Sequence, residues 1–195
     1  NREGAFYRTL EEPKIPTLED AEGKLVRINS GHDSNLNRKL VVKTASKYKD
    51  VFFNTSLPLV DFPAPVVLTL NGQNTDRGFI RPSDVTGNLK NIMAVRFRTN
   101  TWNLVWALEA ISNWSQIGCG VRIPFWITDM RYYNKDKIKN PEYYEFRKHI
   151  LNEYWCLNEK GYEKVFSTLF KRPDVYWCGN PFTMSTYCKD CCLCE

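Results

Sequence analysis

Short apolar runs alternate along this chain with longer stretches of helical periodicity. The runs are Lys24–Ile28 (KLVRI), Val51–Asn54 (VFFN), Pro65–Leu70 (PVVLTL), Ile92–Arg98 (IMAVRFR), Val121–Thr128 (VRIPFWIT) and Val175–Cys178 (VYWC). Their length and their content of β-branched and aromatic residues predict strands. After the first run, Leu36, Leu40, Val41, Thr44, Ala45 and Tyr48 recur at the spacing of one helix face. Thr99-Asn100-Thr101 supplies capping residues for a second helix over 102–116, where Leu104, Trp106, Leu108 and Ile111 predict substantial burial. Two more helical segments are expected near 141–155 and 159–171. Pro58, Pro63 and Pro65 mark a connection, and Pro124 predicts a bulge or bend within its strand.

Strands alternating with helices predict an α/β domain on a mainly parallel sheet, either a partial β/α barrel or an open sheet. Five or six strands are too few to close an eight-stranded barrel. The expected organisation is an α/β domain over 1–174, with an arm over 1–23 containing Pro13 and Pro16, and a cysteine-rich tail over 175–195. There is no internal repeat and no low-complexity segment.

Composition narrows the partners. Apolar residues make up 43% of the 195, enough for a real core, and 27 Lys+Arg against 22 Asp+Glu leave a net charge of +5. Such a mild excess permits contact with nucleic acid or another anion without demanding it. Tyr132, Tyr133, Tyr143 and Tyr144 are interleaved with Arg131, Lys135, Lys137 and Lys139, a mixture suited to stacking on bases or to an ordinary aromatic surface. No apolar stretch approaches a membrane span. The chain opens Asn1-Arg2-Glu3-Gly4, with neither an initiator Met nor an apolar signal core, so a processed or partial chain is expected.

The seven cysteines are uneven. Cys119 and Cys156 stand alone, whereas Cys178, Cys188, Cys191, Cys192 and Cys194 crowd the end. An odd count and a terminal cluster favour a reduced, intracellular setting over a disulfide scaffold. The spacing Cys178-x9-Cys188-x2-Cys191-x2-Cys194, with Cys192 spare, puts three thiolates on one tight loop and a fourth at a strand end. That is closer to the grip on a [4Fe–4S] cluster than to paired zinc knuckles, with zinc as the alternative.

Polar residues gather at the carboxyl ends of the predicted strands, where α/β proteins bind ligands. They include the Gly31-His32-Asp33-Ser34 loop, Asn71 and Asn74, Arg98 through Asn103, and Thr128-Asp129. Arg96, Arg98 and Asn100 alternate onto one face of their strand, with Val95, Phe97 and Thr99 on the other. Two arginines on one face of an inner strand are costly unless they meet an anion or a carboxylate. Either they clamp a phosphate or carboxylate ligand, with Asn71, Asn74, Asn100, Asn103 and Asp129 orienting it, or they pair with Asp129, Asp76 or Glu109 in a structural network. A surface cap is expected for His32 and a helical surface position for His149. No phosphate-binding glycine loop and no Gly-x-Ser-x-Gly elbow is present.

Arg96-x-Arg98-Thr99-Asn100-Thr101-Trp102-Asn103 leads to a helix, then to a strand ending Trp126-Ile127-Thr128-Asp129, then to a Cys-rich terminus. This arrangement, over roughly 65–194, resembles radical-SAM-like partial barrels of phage and bacterial proteins. The resemblance implies a partial β/α barrel whose polar strand ends face a substrate. The Cys-x3-Cys-x2-Cys motif of that family is missing, so the resemblance assigns no catalytic residue, and the terminal cysteines would correspond to an auxiliary or structural centre. The expected function is therefore a metal-centre protein acting on an anionic small molecule or nucleotide. The alternatives are a zinc-stabilised module binding nucleic acid or protein, or a component of a viral assembly.

Overall fold

A computed structural model describes residues 15–29, 32–72, 78–123, 128–129, 140–149, 152–169 and 172–177. Its elements in chain order are β1 (Val26–Ile28), α1 (Arg38–Ala45), β2 (Val51–Thr55), β3 (Val66–Thr69), β4 (Ile92–Arg96), α2 (Leu104–Ser115), β5 (Val121–Ile123), β6 (Thr128–Asp129), β7 (Tyr144–His149), β8 (Asn152–Leu157), α3 (Glu159–Leu169) and β9 (Val175–Trp177). Short 3-10 turns stand at Pro82–Asp84, Leu89–Asn91 and Pro141–Tyr143.

Six strands form one parallel sheet in the order β1-β2-β3-β4-β5-β9. The spatial order is the sequence order, without the reversal that defines a doubly wound sheet. Crossovers between parallel strands are right-handed, so a sequential order sends every connection to the same face. The core bears this out. One buried cluster holds the strand residues Phe53, Val66, Leu68, Val95, Phe97, Val121 and Ile123, and it takes an apolar residue from each connection. Ala45 comes from the first, Val60 and Phe62 from the second, Phe79 from the third, Trp114 from the fourth and Val165 from the fifth. Trp114 is wholly buried and its indole N–H donates to the Ile80 carbonyl at 3.0 Å, so its one polar atom is satisfied inside the core. The opposite face holds a far smaller buried patch, Phe52, Val67 and Ala94.

The remaining strands form a three-stranded antiparallel sheet in the order β6-β8-β7. It lies in the connection between β5 and α3, and it corrects two expectations. The segment near 141–155 is a 3-10 turn followed by β7 and β8, not a helix, because Tyr144, Phe146, Trp155 and Leu157 pair across two strands in register. His149 accordingly sits at the end of a strand. Of the predicted strand Val121–Thr128, β5 covers Val121–Ile123, residues 124–127 lie outside the described residues, and Thr128-Asp129 belongs to the other sheet, paired with Tyr154 and Trp155 of β8. The other expected strands and helices are present, with ends shifted by a few residues. Among the described residues, no helix is long and apolar enough to cross a membrane.

Candidate functional site

The carboxyl ends of β1 to β4 are joined by side chains rather than by ladder bonds. Asn54, at the end of β2, donates from Nδ2 to the Ile28 carbonyl of β1 at 3.0 Å, and its Oδ1 accepts from Arg96 Nη2. The Arg96 guanidinium therefore reaches from β4 across β3 to β2. Asn71, just past β3, mimics a strand neighbour. Its Oδ1 accepts the Arg98 N–H at 2.8 Å and its Nδ2 donates to the Arg98 carbonyl at 2.8 Å.

Asp33, in the loop after β1, closes the end of β2. Its carboxylate accepts from the Asn35 N–H, the Thr55 hydroxyl, the Ser56 N–H and the Ser56 hydroxyl. Burial pushes this carboxyl up, but those hydrogen bonds to the charged form outweigh it and hold Asp33 below its ordinary value. Gly72 allows the end of β3 to approach the same place, since a Cβ there would stand 3.1 Å from Ser56 Cβ. His32 is half-buried beside Asp33.

The start of α2 is held by a reciprocal pair. Asn100 Oδ1 accepts from the N–H groups of Trp102 and Asn103, at 3.0 and 2.9 Å. Asn103 Oδ1 accepts the Asn100 N–H at 2.9 Å, and Asn103 Nδ2 donates to the Arg98 carbonyl at 2.9 Å. These bonds fix the turn that leads into α2, since the N–H groups they satisfy lie before Leu104. Tyr144 of β7 packs its ring on Trp102 at 5.3 Å and meets the Thr101 N–H through its hydroxyl, so the antiparallel sheet abuts this corner.

Among these residues Arg98 is left with unspent capacity. Its Nη2 donates to the Asn71 carbonyl at 3.2 Å, but its Nε is covered and has no partner. Burial lowers its pKa, although a guanidinium stays charged at any working pH. Of the carboxylates proposed as structural partners, Glu109 is taken by Arg81 at 3.0 Å. Asp76 lies outside the described residues, and Asp129 is on β6 of the antiparallel sheet rather than at the end of β5. Arg96 also stands in register beside Arg122 of β5, whose guanidinium lies 5.8 Å from the Tyr176 ring. Like charges on adjacent strands oppose pairing, so this local rule is broken where the sheet turns polar.

The structure therefore brings Arg96, Arg98, Asn71, Asn100 and Asn103 together at the strand ends. Asn71 and Asn103 spend both ends of their amides on the backbone. Asn74 and the cysteines Cys178, Cys188, Cys191, Cys192 and Cys194 lie outside the described residues. Among the described residues, no group of three His, Cys, Asp or Glu is placed to hold a metal ion. Cys156 is buried, and burial pushes the Cys119 thiol up. A groove of about 710 Å³ beside α1 does not include the strand-end residues: Arg38 in it stacks 4.2 Å from Phe62 and lies 3.7 Å from Asp61.

Sequence reasoning placed Asp33 in a capping loop but missed that it closes β2, and it missed the Asn54–Arg96 bond. The signal for both was polar residues directly after apolar runs. No protein-family model, curated protein or solved structure matches the chain.

Proposed function

We propose that this chain binds an anionic small molecule or nucleotide at the carboxyl ends of its parallel strands, with Arg96 and Arg98 as the anion clamp. The observation that carries the reading is Arg98: a half-buried guanidinium with a covered, unpartnered Nε and no carboxylate beside it among the described residues. Covering part of a cation without a carboxylate to pair it costs free energy, which favours a partner supplied by a ligand. Asn74 and Asp129 belong to the same reading as orienting groups. In it the sheet is a partial β/α barrel of the radical-SAM-like kind, and the sequential strand order with one-sided crossovers supports that likeness.

Calorimetric titration with inorganic phosphate and with adenosine monophosphate tests the clamp. Wild type should bind at least one of them, and Arg98→Met should weaken binding more than about tenfold while leaving the circular dichroism spectrum unchanged. Equal affinity in the variant sinks the clamp.

The reading also gives the tail a metal centre on Cys178, Cys188, Cys191 and Cys194, a [4Fe–4S] cluster or else zinc, supported by spacing. Metal analysis and a visible spectrum of anaerobically purified protein test it. Iron with a broad visible absorbance fits the cluster, zinc without iron selects the alternative, and neither metal overturns both.

A further inference from the structure

We infer that Asn100 is a specificity-determining contact of the strand-end site and that it selects an oxyanion head group. The inference rests on the anion-binding reading above and narrows its ligand.

The orientation of the Asn100 amide is fixed by chemistry. Its Oδ1 takes two backbone N–H groups, those of Trp102 and Asn103, and only the oxygen end of an amide can accept them. Nδ2 therefore leaves on the other side. Asn100 is 0% exposed, and this Nδ2 is covered and has no partner. Asn71 and Asn103 are equally buried, but each has both amide ends bonded to backbone. Asn100 is thus the member of this asparagine group with a donor to spare.

Two residues earlier, Arg98 Nε is in the same condition. Just past the end of β4 the two residues are tied to one amide: Asn103 takes the Arg98 carbonyl with Nδ2 and the Asn100 N–H with Oδ1. Bulk water reaches neither atom, so neither is satisfied by solvent. The site consequently offers donors and lacks acceptors. α2 begins four residues after Asn100, and the N-terminal end of a helix favours negative charge. A group with at least two acceptor oxygens, a phosphoryl or a carboxylate, would satisfy Arg98 and Asn100 together. A cationic or purely donating group would leave both unmet.

Titration of the full chain with inorganic phosphate and with citrate tests this, using wild type, Arg98→Met, Asn100→Asp and Asn100→Ser. Asn100→Asp keeps the oxygen that caps Trp102 and Asn103 but replaces the donor with a carboxylate oxygen. Its thermal midpoint should hold, and its affinity for whichever probe wild type binds should fall by about 100-fold. Asn100→Ser removes the donor without adding charge and should weaken binding by about tenfold. It decides the matter if Asn100→Asp does not fold. If Arg98→Met loses binding while the Asn100 variant that folds binds like wild type, the role of Asn100 is overturned and the anion reading stands. If wild type binds neither of these probes nor adenosine monophosphate, both are overturned.

Discussion

The two faces of the parallel sheet use the same strands for opposite ends. One face carries Phe53, Leu68, Val95, Phe97, Val121 and Ile123, and all five connections close over it. The other carries Arg27, Asn54, Thr69, Arg96 and Arg122 around a patch of three buried apolar residues. Residues one apart in sequence fall into opposite chemistry: Val95 and Arg96, Phe97 and Arg98, Val121 and Arg122. A slip of one residue in strand register would drive arginines into the core, so recognition chemistry on one face also enforces the register of the other.

Substitutions on the two faces should separate accordingly. The largest loss is expected from Trp114→Ala, which empties a wholly buried site against the sheet and should cost about 3–5 kcal/mol in chemical denaturation. Gly161→Ala should come next, at about 1–3 kcal/mol. Alanine is the better helix former, but its Cβ would stand 2.4 Å from the Tyr143 carbonyl oxygen and 2.7 Å from Leu157 Cδ2. Backbone cannot yield as a side-chain tip does, so the clash wins over propensity.

Asp33→Asn should cost about 1–2 kcal/mol, since one acceptor oxygen becomes a donor facing the hydroxyls and N–H groups of Thr55, Ser56 and Asn35. The folded pKa of Asp33 lies below its unfolded value. Its contribution is therefore fully present above the ordinary carboxylate range, about pH 4, and is lost as pH falls through the folded value. The cost of Asp33→Asn should shrink on acidification below pH 4; a cost independent of pH would mean the ionised carboxylate is not what closes β2. The smallest effect on stability should be Arg98→Met, within about 1 kcal/mol either way, because removing a half-buried charge without a carboxylate partner offsets the lost hydrogen bond to Asn71. A loss as large as that of Trp114→Ala would make the polar face structural and break the comparison.

The strands and helices of the parallel sheet were legible because their signals are local. The period of Leu36 to Tyr48 and the Asn-rich start of α2 needed no long-range information. The 141–155 segment was not legible. Its charges at Glu142, Glu145, Arg147 and Lys148 resemble an exposed helix face, whereas its aromatic residues are held in strands by partners across the hairpin and by β6. The place of Thr128-Asp129 in the second sheet was hidden for the same reason, since its pairing with β8 is set about 25 residues away. At the site, sequence alone grouped Asn71, Asn100 and Asn103 with the arginines. It could not tell amides consumed by backbone from one with a donor left over, because that depends on the geometry of each hydrogen bond.

The sequential strand order has a kinetic consequence. The first four pairings, β1 with β2 through β4 with β5, each close a loop of about 10–25 residues, whereas joining β5 to β9 closes one of about fifty. Loop-closure entropy then makes β9 the last strand to dock, after the hairpin and α3 between them have formed. Cys178 follows β9 directly in the chain. A nascent or refolding chain would thus have four of its five parallel pairings zipped before the strand that precedes the terminal thiols in sequence has docked.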